Sequence, residues 1–499
     1  MNLRWADTVA GAGPGPWLAA ILAGAAFAGM ATAVIGSLAG YRAIYYAAIF
    51  GLIVAGGLAA ATRREPLRFV FLALIACFPV VYAVVPPGRW GYTVFDVVMI
   101  TLSIGLIGKR VFASPPPAVP LFPSASLLLA WLLCIPCVVF ALFPLLSLET
   151  YILNFAIYAF FLFVLEELGR ERGLERLVLL LSIVVLFMAA GLVVDHVLHV
   201  NLSLRGANLN QTSYAYGFEL YRAGGFFQDP QRAGTFLACM ITFLLVLAVR
   251  GRFQGMGLRL VVWAAIAAGS AALITTVARA AILACACGSA IALFAFNRSS
   301  AAAKLLVTGG VIAAAMIFAL TPMDMWMSIV PTAVTQRFLQ SHVEFGHRLE
   351  IWFDTWDMFA NQPLTGIGLG SFKAYLMKTQ PTMLNFYGLG EAAGVTYVPD
   401  QPESGYFKIL YEGGIAGSLA ALLVVGDALR RAFGVIAGNQ AGPDARTECI
   451  AALAALLVFG ATFVTLFTMG DQRIAALFAF LLAVIWHRSL QRVDAAPKG

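Results

Sequence analysis

Charge is what this chain has least of. Only 11% of its 499 residues are Asp, Glu, Lys or Arg, and 61% are hydrophobic; a soluble domain carries roughly 25% charged residues. The shortage excludes a water-soluble fold for most of the chain, and lipid is the expected solvent. Catalytic signatures are also scarce. There is no P-loop, HExxH, GxSxG or DxD, which argues against an ATP-driven transporter, a metalloprotease or a lipase. Gly366, Gly368 and Gly370 form GxGxG with no strand before them, which is not a dinucleotide fingerprint. Asp195, His196 and His199 close one apolar run, but a metal site needs more ligands than these, so no metal and no cofactor are expected. The seven cysteines lie within or at the edge of apolar runs. The CxxC of Cys134 and Cys137 lacks further partners and reads as small packing residues. No cleavable signal peptide, internal repeat or low-complexity tail stands out.

What the chain has in abundance is apolar runs. A bilayer core is crossed by ~20 residues of helix. On that ruler runs fall near 17–40, 42–62, 67–86, 91–108, 122–145, 149–167, 176–199, 233–249, 258–276, 278–296, 303–321, 404–428, 447–468 and 472–487. The expectation is an all-α polytopic membrane protein of about fourteen transmembrane helices, forming one domain over 1–499. The fourth run is the weakest, because Asp96 interrupts it. Only a tight turn separates 258–276 from 278–296.

The net charge of +7 reads as membrane orientation, not as a nucleic-acid surface. With a cytoplasmic N-terminus, 20 of the 32 Lys and Arg fall on inner segments and 11 on outer ones, Lys408 lying within a helix. Nearly every short inner loop carries two or three, and most short outer loops carry one or none. Both termini are therefore expected in the cytoplasm. Two segments break the short-turn pattern, 200–232 and 322–403, and both fall outside on this topology; long loops in compact proteins are functional or disordered. Within the second, residues 344–360 put Phe345, Leu349, Trp352, Phe353, Trp356 and Phe359 on one helical stripe, with Glu350, Asp354 and Asp357 opposite. That pattern fits an amphipathic helix at the membrane interface, ended by Pro363.

Five arginines on the outer side need a reason: Arg205, Arg222, Arg232, Arg279 and Arg348. Arg279, at the start of an apolar run, admits a snorkelling reading and a binding reading. Together the five fit an anion, because a guanidinium is always charged and offers a planar fork to phosphate oxygens. An outward-facing diphosphate in a membrane points to a polyprenyl-linked sugar. The re-entry segment 397–417 adds Asp400 and Glu403. Glu403 precedes an apolar helix, where it serves as a helix-end charge or as a general base for a sugar hydroxyl. Lys408 and Glu412, one turn apart, can pair, and Gly413 and Gly417 have the spacing of close helix packing. His347 beside Arg348 and Asp229 before the 233–249 run complete the candidates.

Four stretches now carry a resemblance. RAGGFFQDPQRAGTFLA (222–238), TTVARAAIL (275–283), HRLEIWFDTWDMFANQPLTGIGLGSF (347–372) and ESGYFKILYEGGIAG (403–417) resemble, in order and placement, the blocks of the O-antigen ligase and polymerase superfamily of bacterial inner-membrane glycosyltransferases. The similarity covers about residues 200–430. It implies an undecaprenyl-diphosphate-linked oligosaccharide as donor, a growing glycan as acceptor and a site facing the periplasm. It implies an inverting, metal-independent transfer. Arg279 matches the arginine engaging the lipid diphosphate, Arg348 the second essential arginine and Arg222 a substrate-binding arginine. Ligases of the family carry a histidine where this chain has Glu403, so the resemblance leans toward polymerisation of exopolysaccharide, capsule or O-antigen. A ligase passing glycan to lipid or protein, and a lipid-linked oligosaccharide flippase, remain the alternatives. A chain-length regulator or co-polymerase is a partner by family analogy alone.

Overall fold

The computed structural model describes residues 65–79, 81, 93–112, 119–200, 202–203, 212–215, 218–227, 229–253, 255–294, 352–353, 356–379, 402–438 and 442–494. Helix dominates: α1 (Pro66–Ala76), α2 (Val94–Phe112), α3 (Ala125–Val139), α4 (Pro144–Leu168), α5 (Gly173–Leu198), α6 (Pro230–Val249), α7 (Met256–Thr275), α8 (Arg279–Phe294), α9 (Trp356–Asn361), α10 (Phe372–Thr379), α11 (Gly405–Ala437), α12 (Pro443–Phe463) and α13 (Gln472–Asp494). One departure among the described residues is an antiparallel hairpin, β1 (Thr212–Ala215) and β2 (Phe218–Tyr221), with Thr212 opposite Tyr221.

Seven of these helices, α4 to α7 and α11 to α13, are long and apolar enough to cross a membrane. The architecture is that of a polytopic helical membrane protein. The runs expected at 17–40, 42–62 and 303–321 lie outside the described residues. Helices α1 and α3, of 11 and 15 residues, are apolar but shorter than a span, and α8 is apolar over the 16 residues described. At 1.5 Å per residue α3 rises about 22 Å, against a core of ~30 Å. Its sequence carries the reason, with Pro136 inside the helix and Pro144 opening the next.

Local chemistry sets the helix starts. Asp229 caps α6, its carboxylate accepting the Gln231 N–H at 2.7 Å, with Pro230 in the first turn. Ser124 caps α3 through the Leu127 N–H at 3.3 Å. Asp96 does not interrupt a span: it sits in the first turn of α2, accepts the Thr93 N–H at 2.8 Å and donates its own N–H to Thr93 Oγ1 at 3.2 Å. This reciprocal pair closes the helix end, as a capping box does. Likewise α7 and α8 are separate helices. The chain turns through Thr276 to Ala278, with Val277 at φ 50°.

The helices alternate so that charge collects at one end. There Glu167, almost fully buried, accepts from Arg68 at 2.7 Å and from Arg176, while Arg110 reaches Glu166 at 3.0 Å. Glu448, equally buried, accepts from Arg252 at 2.6 Å and from Arg488. Asp427 takes Arg430 and Arg431 at 2.7 and 3.2 Å. All of these arginines come from the segments expected inside. The opposite end gathers the start of α4, the end of α5, the start of α6, the α7–α8 turn, the start of α11 and the α12–α13 turn.

Helix α11 is broken, and the break builds that second end. Gly414 leaves helical geometry at φ 58°, ψ −153°. Residues 363–368 lie in the gap. Ile367 and Gly368 donate to the Tyr411 and Glu412 carbonyls at 2.9 and 3.0 Å, and Ile415 and Ala416 donate to the Pro363 and Leu364 carbonyls at 2.8 and 2.9 Å. The helix thus exchanges internal hydrogen bonds for bonds to the loop, and irregular backbone at this depth is tolerated where protein surrounds it. The glycine run follows from the same contact: Gly366, Gly368 and Gly370 all have positive φ, and a Cβ on any of them would sit 2.2–2.5 Å from a neighbour. The loop also meets the chain just beyond the short α3, Leu142 donating to the Ile367 carbonyl at 3.1 Å.

The expected interfacial helix is described only in part, as a helical pair at Trp352–Phe353 and as α9. Phe345 and Leu349 lie outside the described residues. The aromatic stripe divides: Trp352 and Phe359 are half-buried, whereas Phe353 and Trp356 are 75% and 47% exposed, and Met358, absent from the stripe, is fully buried. The anchor is Trp352, which donates to the Pro402 carbonyl at 2.9 Å and lies against Phe407.

Candidate functional site

Between β2 and α6, residues 222–227 form a tightly held segment of the second end. Its backbone is pinned from three helices. The carboxylate of Asp195, at the end of α5, accepts the Gly224 and Gly225 N–H groups at 2.9 and 2.6 Å and the Tyr221 hydroxyl. Ala223 donates to the Thr275 carbonyl at the end of α7, at 3.2 Å. Arg473, at the start of α13, donates to the Phe226 carbonyl at 3.1 Å. Gly225 at φ 57° permits the turn. Burial, with the Asp195 carboxylate alongside, pushes the Tyr221 phenol above its ordinary range and keeps it a donor. His199 stacks on Tyr221, with ring centroids 4.3 Å apart. The cluster of Asp195 and His199 is thus occupied in shaping this loop.

Three of the candidate arginines sit on this frame. Arg222 is buried at its start, and Arg232, also buried, is in the first turn of α6. Arg279, half-buried, opens α8. The frame links them. Thr275, which accepts from the neighbour of Arg222, lies four residues before Arg279. Gly234 packs so closely on the α7–α8 turn that an added Cβ would sit 2.6 Å from Ala278 Cβ. Asp229 is the cap of α6 and is not an idle carboxylate. Arg205, Arg348, His347 and Asp400 lie outside the described residues.

Glu403 belongs to the same end. It is half-buried, stands two residues before α11 and holds φ 51°, a conformation that costs a non-glycine residue about 1–3 kcal/mol. It is not the cap of α11; Ser404 occupies that position. One turn on, Lys408 pairs with Glu412 at 2.9 Å, both buried. Glu412 also accepts the Gly370 and Phe372 N–H groups at 2.9 and 3.0 Å. The pair therefore ties α11 to the glycine loop. Lys408 further lies over the rings of Phe372 and Phe467, at 5.6 and 5.1 Å. Contact then passes to the arginines, because the turn of Phe467 also brings Gly470 beside Arg232.

Two cations were hidden from sequence reasoning. Arg473 reads as one arginine in a short outer turn, yet it and Asp471 are fully buried. Lys408 reads as an intrahelical partner for Glu412, and its aromatic surroundings come from residues 36 and 59 positions away. The Asp-x-Arg pattern at 471–473 between two apolar runs was the available signal.

A chain with this fold is a polytopic helical membrane protein, with Arg222, Arg232 and Arg279 at one end. Residues 264–422 match the Wzy_C family model, described as O-antigen ligase. The match includes three of the four resembling blocks, those holding Arg279, Arg348 and Glu403, and the fourth, with Arg222, precedes it. No curated protein matches the chain. This partial match is consistent with the O-antigen ligase and polymerase superfamily.

Proposed function

We propose that this chain is a bacterial inner-membrane glycosyltransferase that polymerises undecaprenyl-diphosphate-linked repeat units, working on the periplasmic face with both termini in the cytoplasm. The observation that carries the reading is the Wzy_C match over 264–422 together with Arg222, Arg232 and Arg279 on one hydrogen-bonded frame at the end opposite the arginine–carboxylate network. That network sits where the loop-charge rule puts the cytoplasm.

In this reading Arg279 and Arg222, with Arg348, hold the donor diphosphate and stabilise the charge that develops on it. Arg232 and Arg205 add to the field, and His347, Asp229 and Asp400 line the substrate path. Glu403 takes the proton from the acceptor hydroxyl. The acceptor oxygen attacks the anomeric carbon from the face opposite the diphosphate. The new glycosidic bond forms as the anomeric carbon–oxygen bond to phosphate breaks, and undecaprenyl diphosphate leaves with the bonding pair. The positive φ of Glu403 supports a functional role, since such strain persists where the surroundings impose it.

A ligase is the second reading, favoured by the description of the matched family. The acceptor alone separates the two. Mass spectrometry of products from the purified protein and a defined lipid-linked repeat unit tests both. Oligomers of the unit are expected for a polymerase, transfer only to an added lipid or protein acceptor for a ligase, and no new glycosidic bond for a flippase.

A further inference from the structure

We infer that Asp471 and Arg473, beyond the matched residues, are positioning residues that set the geometry of residues 222–227, the segment that begins with Arg222 and precedes Arg232 of α6. The inference deepens the proposed function and rests on its donor site.

The two side chains are fully buried. Arg473 donates from Nε to Asp471 Oδ1 at 2.9 Å and from Nη2 to Oδ2 at 2.6 Å, and Asp471 Oδ1 also accepts the Arg473 N–H at 3.0 Å. The carboxylate thus fixes the guanidinium plane and neutralises it. The remaining nitrogen, Nη1, reaches the Phe226 carbonyl at 3.1 Å, and the guanidinium carbon stands 4.0 Å from the centre of the Phe227 ring.

Burying such a pair is costly, and apolar side chains of similar volume would fill the space at less expense. What an apolar pair could not do is hold a loop that lacks its own secondary structure. The clamp closes on the end of that segment. Arg222 lies four residues before Phe226, and Arg232 lies five after Phe227. The 3-10 turn just before α13, Thr468–Gly470, lies beside Arg232: a Cβ built on Gly470 would fall 3.7 Å from Arg232 Nη2. Asp195 and Thr275 fix the first half of the loop from α5 and α7. The Asp471–Arg473 pair supplies the third anchor, and it ties the last helix to the donor arginines.

The test uses the full chain in lipid nanodiscs, with undecaprenyl diphosphate as the binding probe and the lipid-linked repeat unit as substrate. Arg473→Lys keeps the charge and loses the fork. It is expected to weaken undecaprenyl diphosphate binding and raise the donor KM at least ten-fold. Phe227→Leu removes the ring face and keeps an apolar side chain, and about a three-fold loss is expected. A purely architectural pair would lower the active fraction and leave KM and affinity alone, and that result overturns the inference. If Arg473→Lys does not fold, Phe227→Leu decides: unchanged affinity overturns it. Arg222→Ala and Arg279→Ala are measured alongside. If these weaken binding and the clamp variants do not, the clamp alone is refuted. If they too leave undecaprenyl diphosphate binding unchanged, the donor site itself is refuted.

Discussion

Gly366 and Gly414 meet backbone to backbone: a Cβ built on Gly366 falls 2.6 Å from the Gly414 nitrogen, and one built on Gly414 falls 2.5 Å from the Gly366 nitrogen. Both also have positive φ. No side chain yields in such a contact, so relief requires moving the loop out of the α11 break. Gly414→Ala is expected to destabilise the protein by about 1–3 kcal/mol from backbone strain alone, since φ 58°, ψ −153° is a conformation that only glycine adopts readily. Gly426→Ala, in the same helix with nothing within 4 Å of the new methyl, should be neutral or stabilising by up to ~1 kcal/mol. Thermal unfolding in detergent, followed by tryptophan fluorescence, compares the two. Equal melting temperatures would reject the account of the break.

That break shows where sequence stops being informative. Period and hydropathy locate α4 to α7 and α11 to α13 because each is a long apolar run between charged or glycine-rich punctuation. The Gly413–Gly414 doublet sits inside such a run. A 3.6-residue pattern does not reveal a helix that opens to accept a loop fifty residues upstream. The same holds for the site. Arg222, Arg232 and Arg279 stand out in the sequence because arginine on segments expected outside violates the loop-charge rule, and the structure puts the three at one end. The burial of Asp471 and Arg473 does not, because it is created by Phe226 and Phe227, some 245 positions away. Asp96 was a doubt that local sequence already answered: Thr93-x-x-Asp96 is a helix-start pattern and not a charge within a span.

The Lys408–Glu412 pair should behave as a unit. Glu412 accepts from Gly370, Phe372 and Lys408, so Glu412→Ala leaves a buried ammonium and two loop N–H groups without that carboxylate. A loss of about 3–5 kcal/mol is expected, the usual cost of breaking a buried pair. Lys408→Met should cost less, because the carboxylate keeps its two backbone donors. In a double-mutant cycle the combined variant should lose less than the sum of the singles. Additive losses would show that the two residues do not act together.

At the other end, burial decides which ion pairs matter. Glu448→Ala removes an almost fully buried carboxylate from Arg252 and Arg488 and should cost about 3–5 kcal/mol. Arg430→Ala removes a guanidinium that is 76% exposed beside Asp427, and within ~1 kcal/mol no change is expected. Unfolding midpoints of the two variants at low and high salt provide the check. A large Arg430 effect, or a Glu448 effect abolished by salt, would contradict the ranking.

The sharpest functional prediction concerns Arg279 and Glu403, which the proposed chemistry places on opposite sides of the breaking bond. Arg279→Ala should lower turnover by about 10²–10³-fold while expression and melting temperature hold, the scale of losing one preorganised donor to a developing anion. Arg279→Lys should recover part of it, since a point charge replaces part of a planar fork. Glu403→Gln keeps the shape of the side chain and removes its capacity to accept a proton, so about 10²–10⁴-fold is expected. The discriminating measurement is the pH profile of kcat/KM. A base that must be ionised to act gives an acidic limb in which rate rises with pH, and Glu403→Gln should abolish that limb, whereas Arg279→Ala should lower the whole profile and keep its shape. If Glu403→Gln retains the limb and the rate, the base lies elsewhere. Asp229 is then the weaker substitute, because its carboxylate already caps α6, and the role passes to Asp400 or His347.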